Sequence, residues 1–74
     1  AEGDLQRRVG GNLRRLRVAR GYSQEAFADL LGYHRTYLGG VERGERNLTL
    51  RTVERLADAL DVDPLDLLAV TPPS

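Results

Sequence analysis

The chain has 74 residues, of which 41% are hydrophobic, and this is the size of one small domain with a single core. It contains no cysteine, which excludes disulfide bonds, thiolate metal sites and cysteine nucleophiles. It has neither an apolar run of about 18–20 residues, as a membrane span requires, nor the apolar core of a signal peptide, so we expect a soluble intracellular protein with no membrane partner.

Charge is unevenly distributed along a chain whose formal net charge is zero. Six arginines and no acidic residue fall between residues 5 and 24, whereas five acidic residues and one arginine fall between residue 54 and the end. All 11 basic side chains are arginine, a type suited to bidentate contacts with phosphate or guanine. A genome-wide preference for arginine would give the same composition, so both interpretations stay open.

The first predicted helix follows residues 1–4, which carry no periodic pattern and are expected to be flexible. Apolar residues then recur at intervals of four, four and three, as on one face of an amphipathic helix: Leu5, Val9, Leu13 and Leu16. This helix is predicted to run from about residue 4 to Arg20. Gly21 ends it, because glycine suits the left-handed conformation at a helix C-terminus.

Two short helices joined by a tight turn are predicted next. Ser23 is a good N-cap for the second helix, and Gly32 closes it. The apolar stripe of that helix consists of Phe27, Leu30 and Leu31. The third helix is predicted to begin at about His34 and to end at Gly44. The apolar residues that would place it against the same core are Leu38 and Val41.

Two more helices complete the chain. Thr49 is the expected N-cap of the fourth, whose apolar face consists of Val53, Leu56, Ala57 and Leu60. Asp63 caps the fifth and Pro64 takes its first position, where a missing N–H costs nothing. Residues 71–74 are expected to be a flexible tail. Because no segment alternates with period two, the sequence predicts an all-α fold of five helices.

The second and third predicted helices fit a helix-turn-helix, although their spacing alone also fits a plain helical bundle. Residues 23–68 closely resemble the phage-repressor and Cro type of helix-turn-helix regulator (XRE family), with "SQ", "LG", "VERG" and "LA.AL.V....L" at the expected intervals. The strings "RTY" and "GVERGERN" look most like the controller proteins of restriction-modification systems. Antitoxins and prophage repressors carry similar strings. The resemblance implies a single compact, lambda-repressor-like domain over residues 1–74.

The resemblance implies that the start of the third helix reads DNA bases in the major groove. Arg35 is the best candidate, because its guanidinium matches the O6 and N7 atoms of guanine. Thr36 could contact a base or a thymine methyl group, and Tyr37 offers a ring and a hydroxyl. Since Leu38 faces the core, we expect Tyr37 to be exposed, the alternative being a core aromatic residue.

Two adjacent glycines in the third helix, Gly39 and Gly40, are unexpected, because each costs a helix interior about 0.5–1 kcal/mol relative to alanine. Gly40 lies four positions after Thr36, so we expect it to look into the groove on a bare helix face, with Gly39 beside it towards the DNA backbone. The alternative is a weak helix end without functional meaning.

Contacts to the sugar-phosphate backbone are implied for a second set of residues, for which the alternative is a solvated surface position. Gln24 resembles the glutamine that begins the second helix in this family and reaches a phosphate. The full set is Ser23, Gln24, His34, Gly39, Arg43, Arg46 and Asn47. The resemblance also implies that Arg17 and Glu42 form a partly buried ion pair with a structural role.

A regulator of this kind is implied to bind a two-fold symmetric double-stranded DNA operator as a homodimer. The apolar residues near the C-terminus exceed what one short helix can bury, and the predicted dimer interface consists of Val62, Leu65, Leu68 and Val70. The resemblance also allows RNA polymerase as a partner. It implies a cytoplasmic, nucleoid-associated protein of a bacterium or phage.

Other functional classes fit less well. An enzyme is not expected, because the single histidine, His34, has no neighbouring carboxylate or thiol with which to form a metal site or nucleophile pair. We expect no metal, cofactor or small-molecule ligand. The main alternative is a protein-interaction module or antitoxin of the same fold that does not bind an operator. The arginines at and after the third helix argue against it, since an interaction module does not need them.

Overall fold

A computed structural model describes residues 1–70 and shows five helices and no strand among them. The helices are α1 (Asp4–Ala19), α2 (Gln24–Leu31), α3 (Arg35–Glu42), α4 (Leu50–Leu60) and α5 (Pro64–Leu68). The predicted all-α, five-helix fold is therefore confirmed, with boundaries that differ by about one residue. The predicted flexible tail, residues 71–74, lies outside the described residues.

The helices begin at the polar residues that the sequence indicates. Ser23 Oγ accepts a hydrogen bond from Ala26 N at 3.0 Å, and Thr49 Oγ1 accepts one from Thr52 N at 3.0 Å. The Asp63 carboxylate does the same for Leu65 N at 2.9 Å. Each side chain satisfies a backbone donor that has no partner within its helix, which fixes where the helix starts.

The core lies where α1, the α2–α3 pair, α4 and α5 converge. Its fully buried large side chains are Leu13, Phe27, Leu38, Leu56, Leu60 and Leu67. Two members of the predicted apolar stripes lie outside it: Leu5 is 52% exposed and Leu30 is 56% exposed. Leu30 faces solvent because adjacent helical residues point about 100° apart, and Leu31 takes the core-facing direction. The predicted apolar stripes therefore include two leucines that the core does not bury.

The position of α3 depends on close contact with α1. A Cβ atom on Gly10 would lie 2.4 Å from the carbonyl oxygen of Val41 and 2.6 Å from that of Glu42. No side chain fits in that space, so glycine at residue 10 lets the two helix backbones approach directly. This contact sets the angle at which α3 is presented on the surface.

A buried polar side chain fastens the other end of the domain. The amide nitrogen of Asn12 donates to the carbonyl oxygens of Leu67 at 2.9 Å and Ala69 at 2.8 Å. These carbonyls belong to the C-terminal end of α5, where helical partners are lacking. Asn12 therefore ties α5 to α1, a role the sequence did not reveal.

Candidate nucleic-acid interface

The outer face of α3 is the side opposite the buried residues Leu38 and Val41. Thr36, Gly40 and Arg43 are spaced by four and three residues, so they share this face. Thr36 and Arg43 are exposed, as is Arg35 beside them. The structure therefore brings two of the predicted base-reading side chains, Arg35 and Thr36, to the start of an outward-facing helix.

Gly39 and Gly40 are not bare, contrary to the expectation for Gly40, because arginine side chains lie across both. A Cβ atom on Gly40 would be 3.0 Å from Nε and 3.2 Å from Cγ of Arg46. A Cβ atom on Gly39 would be 3.1 Å from Nη1 of Arg43. Both glycines are buried beneath these side chains. Their immediate effect is to let two arginines lie flat on the outer face of α3.

Tyr37 is half-buried and packs against the core cluster, so the expectation of an exposed ring was wrong. Its ring and that of Tyr33 form a T-shaped pair, with a centroid distance of 5.1 Å and an interplanar angle of 68°. The guanidinium carbon of Arg46 lies 5.6 Å from the centroid of the Tyr37 ring. Both contacts have the geometry of favourable aromatic and cation–π pairs.

A second arginine–tyrosine contact was missed by the sequence reasoning. The guanidinium of Arg55, on α4, lies 4.8 Å from the centroid of the Tyr33 ring. It also donates to Tyr33 Oη at 3.1 Å and to the carbonyl oxygen of Leu31 at 2.6 Å. Residues 33 and 55 are 22 positions apart, and no local pattern links them.

A buried polar network anchors α3 to α1 and α2. Arg17 donates from Nε to Glu42 Oε2 at 2.6 Å and from Nη2 to Oε1 at 3.1 Å. The two side chains are only 8% and 3% exposed. Arg17 also donates to the carbonyl oxygen of Tyr22 at 2.7 Å, and Gln24 donates to Glu42 Oε1 at 3.0 Å. The bidentate pair is thereby supported by hydrogen bonds on both sides.

Three predicted backbone contacts already have roles within the chain. Ser23 caps α2, and His34 caps α3 by accepting a hydrogen bond from Thr36 N at Nδ1, at 3.1 Å. In the neutral imidazole the proton then lies on Nε2, which remains a donor. The side-chain amide of Gln24 has two hydrogens and donates one of them to Glu42. Gln24 and His34 therefore each keep one donor for an anion.

A side chain on α1 binds the segment that follows α3. The amide nitrogen of Gln6 donates to the carbonyl oxygen of Arg46 at 2.7 Å and to Asn47 Oδ1 at 2.9 Å. Arg43 and Glu45 form an exposed ion pair at 3.1 Å. Such pairs contribute little to stability and open easily. Gln6, which the sequence reasoning did not single out, fixes the backbone from which the Arg46 side chain extends.

The predicted dimer residues fall into two groups. Leu65 is 68% and Val70 is 72% exposed, whereas Val62 and Leu68 are half-buried and pack against the core. Leu68 also lines a surface groove, together with Leu5, Leu48 and Leu50. Leu50 is 79% exposed. The apolar surface therefore extends beyond the four predicted residues to the beginnings of α1 and α4.

Two kinds of feature are absent from residues 1–70. Among these residues, no three histidine or acidic side chains lie close enough together to hold a metal ion. None of the helices in this part of the chain has both the length and the apolar character needed to cross a bilayer.

Comparisons with known proteins give consistent matches. A helix-turn-helix family profile matches residues 13–67. The control protein C.SmaI of Serratia marcescens is 45% identical over 65 residues, which cover 88% of this chain and 77% of that protein. The crystal structure of the restriction-modification controller protein C.AhdI from Aeromonas hydrophila superposes with a TM-score of 0.77 at 50% identity, covering 84% of this chain and 94% of that one.

A third match was solved with DNA. The restriction-modification controller protein C.Esp1396I, crystallised as a tetramer with its natural 35 base-pair operator, has a TM-score of 0.76 and 31% identity. The match covers 86% of this chain and 84% of that one. The solved structures therefore include an operator complex of a protein with the same fold.

Proposed function

The chain belongs to the helix-turn-helix family of transcriptional regulators, and on that premise we propose that it binds a two-fold symmetric DNA operator as a homodimer, with α3 in the major groove. The relatives named as control proteins support the further proposal that it regulates the genes of a restriction-modification system. We propose regulation of transcription rather than enzymatic activity, carried out in the cytoplasm on nucleoid DNA without a cofactor or small-molecule ligand.

The observation that carries the proposal is the arginine-rich outer face of α3. Arg35 is exposed at its start, Arg43 at its end, and Arg46 lies across its middle at Gly40. The nearby carboxylate of Glu42 is buried and paired with Arg17, so it does not repel phosphate. The face is therefore cationic, as a groove-binding helix requires.

Roles within this face follow from geometry. Arg35 and Thr36, exposed in the first turn of α3, are the proposed base readers, because the N-terminal part of a recognition helix lies deepest in the groove. The spare donors of Gln24 and His34, both at helix N-termini, are proposed to reach phosphate oxygens. Arg43 and Asn47 are proposed to bind the DNA backbone as well.

A homodimer is proposed because one recognition helix covers too few base pairs for useful specificity. Leu65 and Val70 offer exposed apolar surface near α5, and Leu5 and Leu50 extend it. Exposed apolar residues of this kind are typical of an interaction surface. We assign the two-fold interface to this face and allow RNA polymerase as a further partner of the DNA-bound dimer.

Selection of bound duplexes from a random pool tests the proposal. We expect an enriched sequence with two-fold symmetry, bound by two chains per duplex and weakened steeply by salt, as phosphate contacts require. Operator binding would be contradicted if no sequence were enriched, or if the protein bound every duplex with the same affinity. That result would favour the alternative of an interaction module or antitoxin with the same fold.

A further inference from the structure

Four side chains contact one another in a row, in the order Arg55, Tyr33, Tyr37 and Arg46, which we call the cation–aromatic ladder. The successive separations are 4.8 Å from Arg55 to the Tyr33 ring, 5.1 Å between the two ring centroids, and 5.6 Å from the Tyr37 ring to Arg46. The ladder joins α4, the turn before α3, α3 itself and the segment after it.

The Arg55 end of the ladder is fixed to the scaffold. Its guanidinium donates to the carbonyl oxygen of Leu31, the last residue of α2, which has no partner within that helix. The same guanidinium donates to Tyr33 Oη at 3.1 Å, so the ring is held both over its face and at its hydroxyl. A planar, multidentate arginine suits this double contact better than lysine would.

The Arg46 end of the ladder reaches the proposed DNA-binding face. The stem of Arg46 crosses Gly40, and its guanidinium rests over Tyr37. Gln6 holds the backbone of Arg46 from α1. The direction of the Arg46 side chain therefore depends on the Tyr37 ring, which in turn packs against the Tyr33 ring. A long arginine side chain without such support would have many rotamers to lose on binding.

We propose that Arg55 and Tyr33 are positioning residues for DNA recognition: without touching DNA, they hold Tyr37 and through it aim Arg46 at the groove. This inference rests on the proposed function. It differs from it in two ways. Arg46, for which the resemblance implied a contact to the DNA backbone, is assigned to base edges in the groove because it lies across Gly40 on the outer face of α3. A residue on α4, outside the helix-turn-helix, is given a role in specificity. Loss of the support broadens the directions that Arg46 samples, so binding to the preferred duplex falls more than binding to others.

A direct phosphate contact by Arg55 is the rival explanation, and the two differ in what they predict. A phosphate contact weakens binding to all sequences alike and lowers the slope of log affinity against log salt by about 1 when it is removed. Removing a positioning residue lowers the ratio of the affinity for the preferred duplex to the affinity for a scrambled one, which we call the preference ratio. It leaves the slope of log affinity against log salt unchanged. Arg55→Gln removes the guanidinium charge whichever explanation holds. The preference ratio and the salt slope therefore distinguish a phosphate contact from a positioning role.

The first experiment measures binding of Arg55→Gln to the selected duplex and to a scrambled one across a salt series. We expect the preference ratio to fall by about threefold to tenfold, the scale of one aromatic or cation–π contact, with the slope unchanged. Arg51→Gln is the matched control, because Arg51 is exposed one turn earlier on α4 and lies outside the ladder. Its preference ratio should equal that of the unmodified chain. Equal losses on both duplexes with Arg55→Gln overturn the proposal.

The second experiment uses the free chain and needs no DNA. We expect Arg55→Gln to shift the NMR signals of the Tyr37 ring and of the Arg46 side-chain N–H, although neither touches residue 55, while Arg51→Gln leaves both in place. Tyr33→Phe keeps the ring and loses only its hydroxyl, so it should give a smaller shift in a folded chain. Unmoved signals in Arg55→Gln overturn the ladder. An unmodified chain that fails to discriminate between duplexes instead overturns the proposed function, whatever the NMR signals show.

Discussion

Arg17 and Glu42 join α1 to α3 through two charge-assisted hydrogen bonds, at 2.6 and 3.1 Å, in a site where both side chains are nearly excluded from solvent. The pair sits behind the proposed recognition face and directs no charge towards it. Its consequence is mechanical: α3 cannot tilt on the domain without separating two buried ions.

Removing one partner of this pair should therefore destabilise the fold strongly. We expect Arg17→Met to lower the free energy of unfolding by about 3–5 kcal/mol, because it leaves the Glu42 carboxylate buried without its ion. Urea denaturation followed by circular dichroism measures the change. Arg14→Met, at an exposed position on the same helix, should stay within about 0.5 kcal/mol of the unmodified chain.

A double variant sharpens the interpretation. Arg17→Met with Glu42→Met replaces the ion pair by apolar side chains and should recover part of the lost stability, because no buried charge remains. If Arg17→Met alone costs no more than Arg14→Met, the pair is solvated in solution and does not anchor α3.

Base reading by Arg35 predicts a loss confined to the preferred sequence. We expect Arg35→Ala to weaken binding to the selected duplex by about 1–3 kcal/mol and binding to a scrambled duplex much less. Titration of both duplexes at one salt concentration measures the two losses. Equal losses would assign Arg35 to the phosphate backbone instead.

Helix positions could be predicted from this sequence because their causes are local. Ser23, Thr49 and Asp63 cap helices a few residues away, and the apolar spacing of each helix is set by its own periodicity. The cation–aromatic ladder could not be predicted in this way. It joins residues 33 and 55 through tertiary packing, and its hydrogen bond spans 22 positions. Likewise, the Gln6 contact with Asn47 spans 41 positions.

The same limit explains the two wrong expectations in α3. Periodicity correctly turns Tyr37 away from Leu38, but it carries no information about Tyr33, which covers the ring from the preceding turn. It places Gly40 on the outer face, but it does not show that Arg46 folds back over it. Side chains arriving from neighbouring segments decide what a helix face exposes.

The dimer proposal is best tested at Leu65, which is 68% exposed, so its replacement leaves the core intact. We expect Leu65→Glu to give a folded monomer, since a carboxylate in an apolar interface has no partner. Sedimentation combined with circular dichroism separates dissociation from unfolding. Leu30→Glu, at a leucine exposed on α2, is the control and should remain dimeric. A dimeric Leu65→Glu variant would place the interface elsewhere.

Gly40 gives the most discriminating test of the recognition face. Gly40→Ala should gain up to about 1 kcal/mol of helix propensity, reduced by the cost of moving Arg46. The new methyl carbon would stand 3.0 Å from Arg46 Nε and 3.2 Å from Cγ, so the flexible arginine must lift from the helix. We therefore expect equal or higher thermal stability together with weaker binding to the selected duplex.

Repeating the substitution in an Arg46→Ala background identifies the cause of that loss. If the role of Gly40 is to let the Arg46 side chain lie against α3, Gly40→Ala should not weaken duplex binding further once Arg46 is replaced. The losses of affinity from the two single substitutions will then not add. If the methyl group instead meets the DNA, the loss persists in the Arg46→Ala background at full size. Unchanged duplex binding by Gly40→Ala alone would contradict both explanations, because Arg46 would then reach its contact equally well from a raised position.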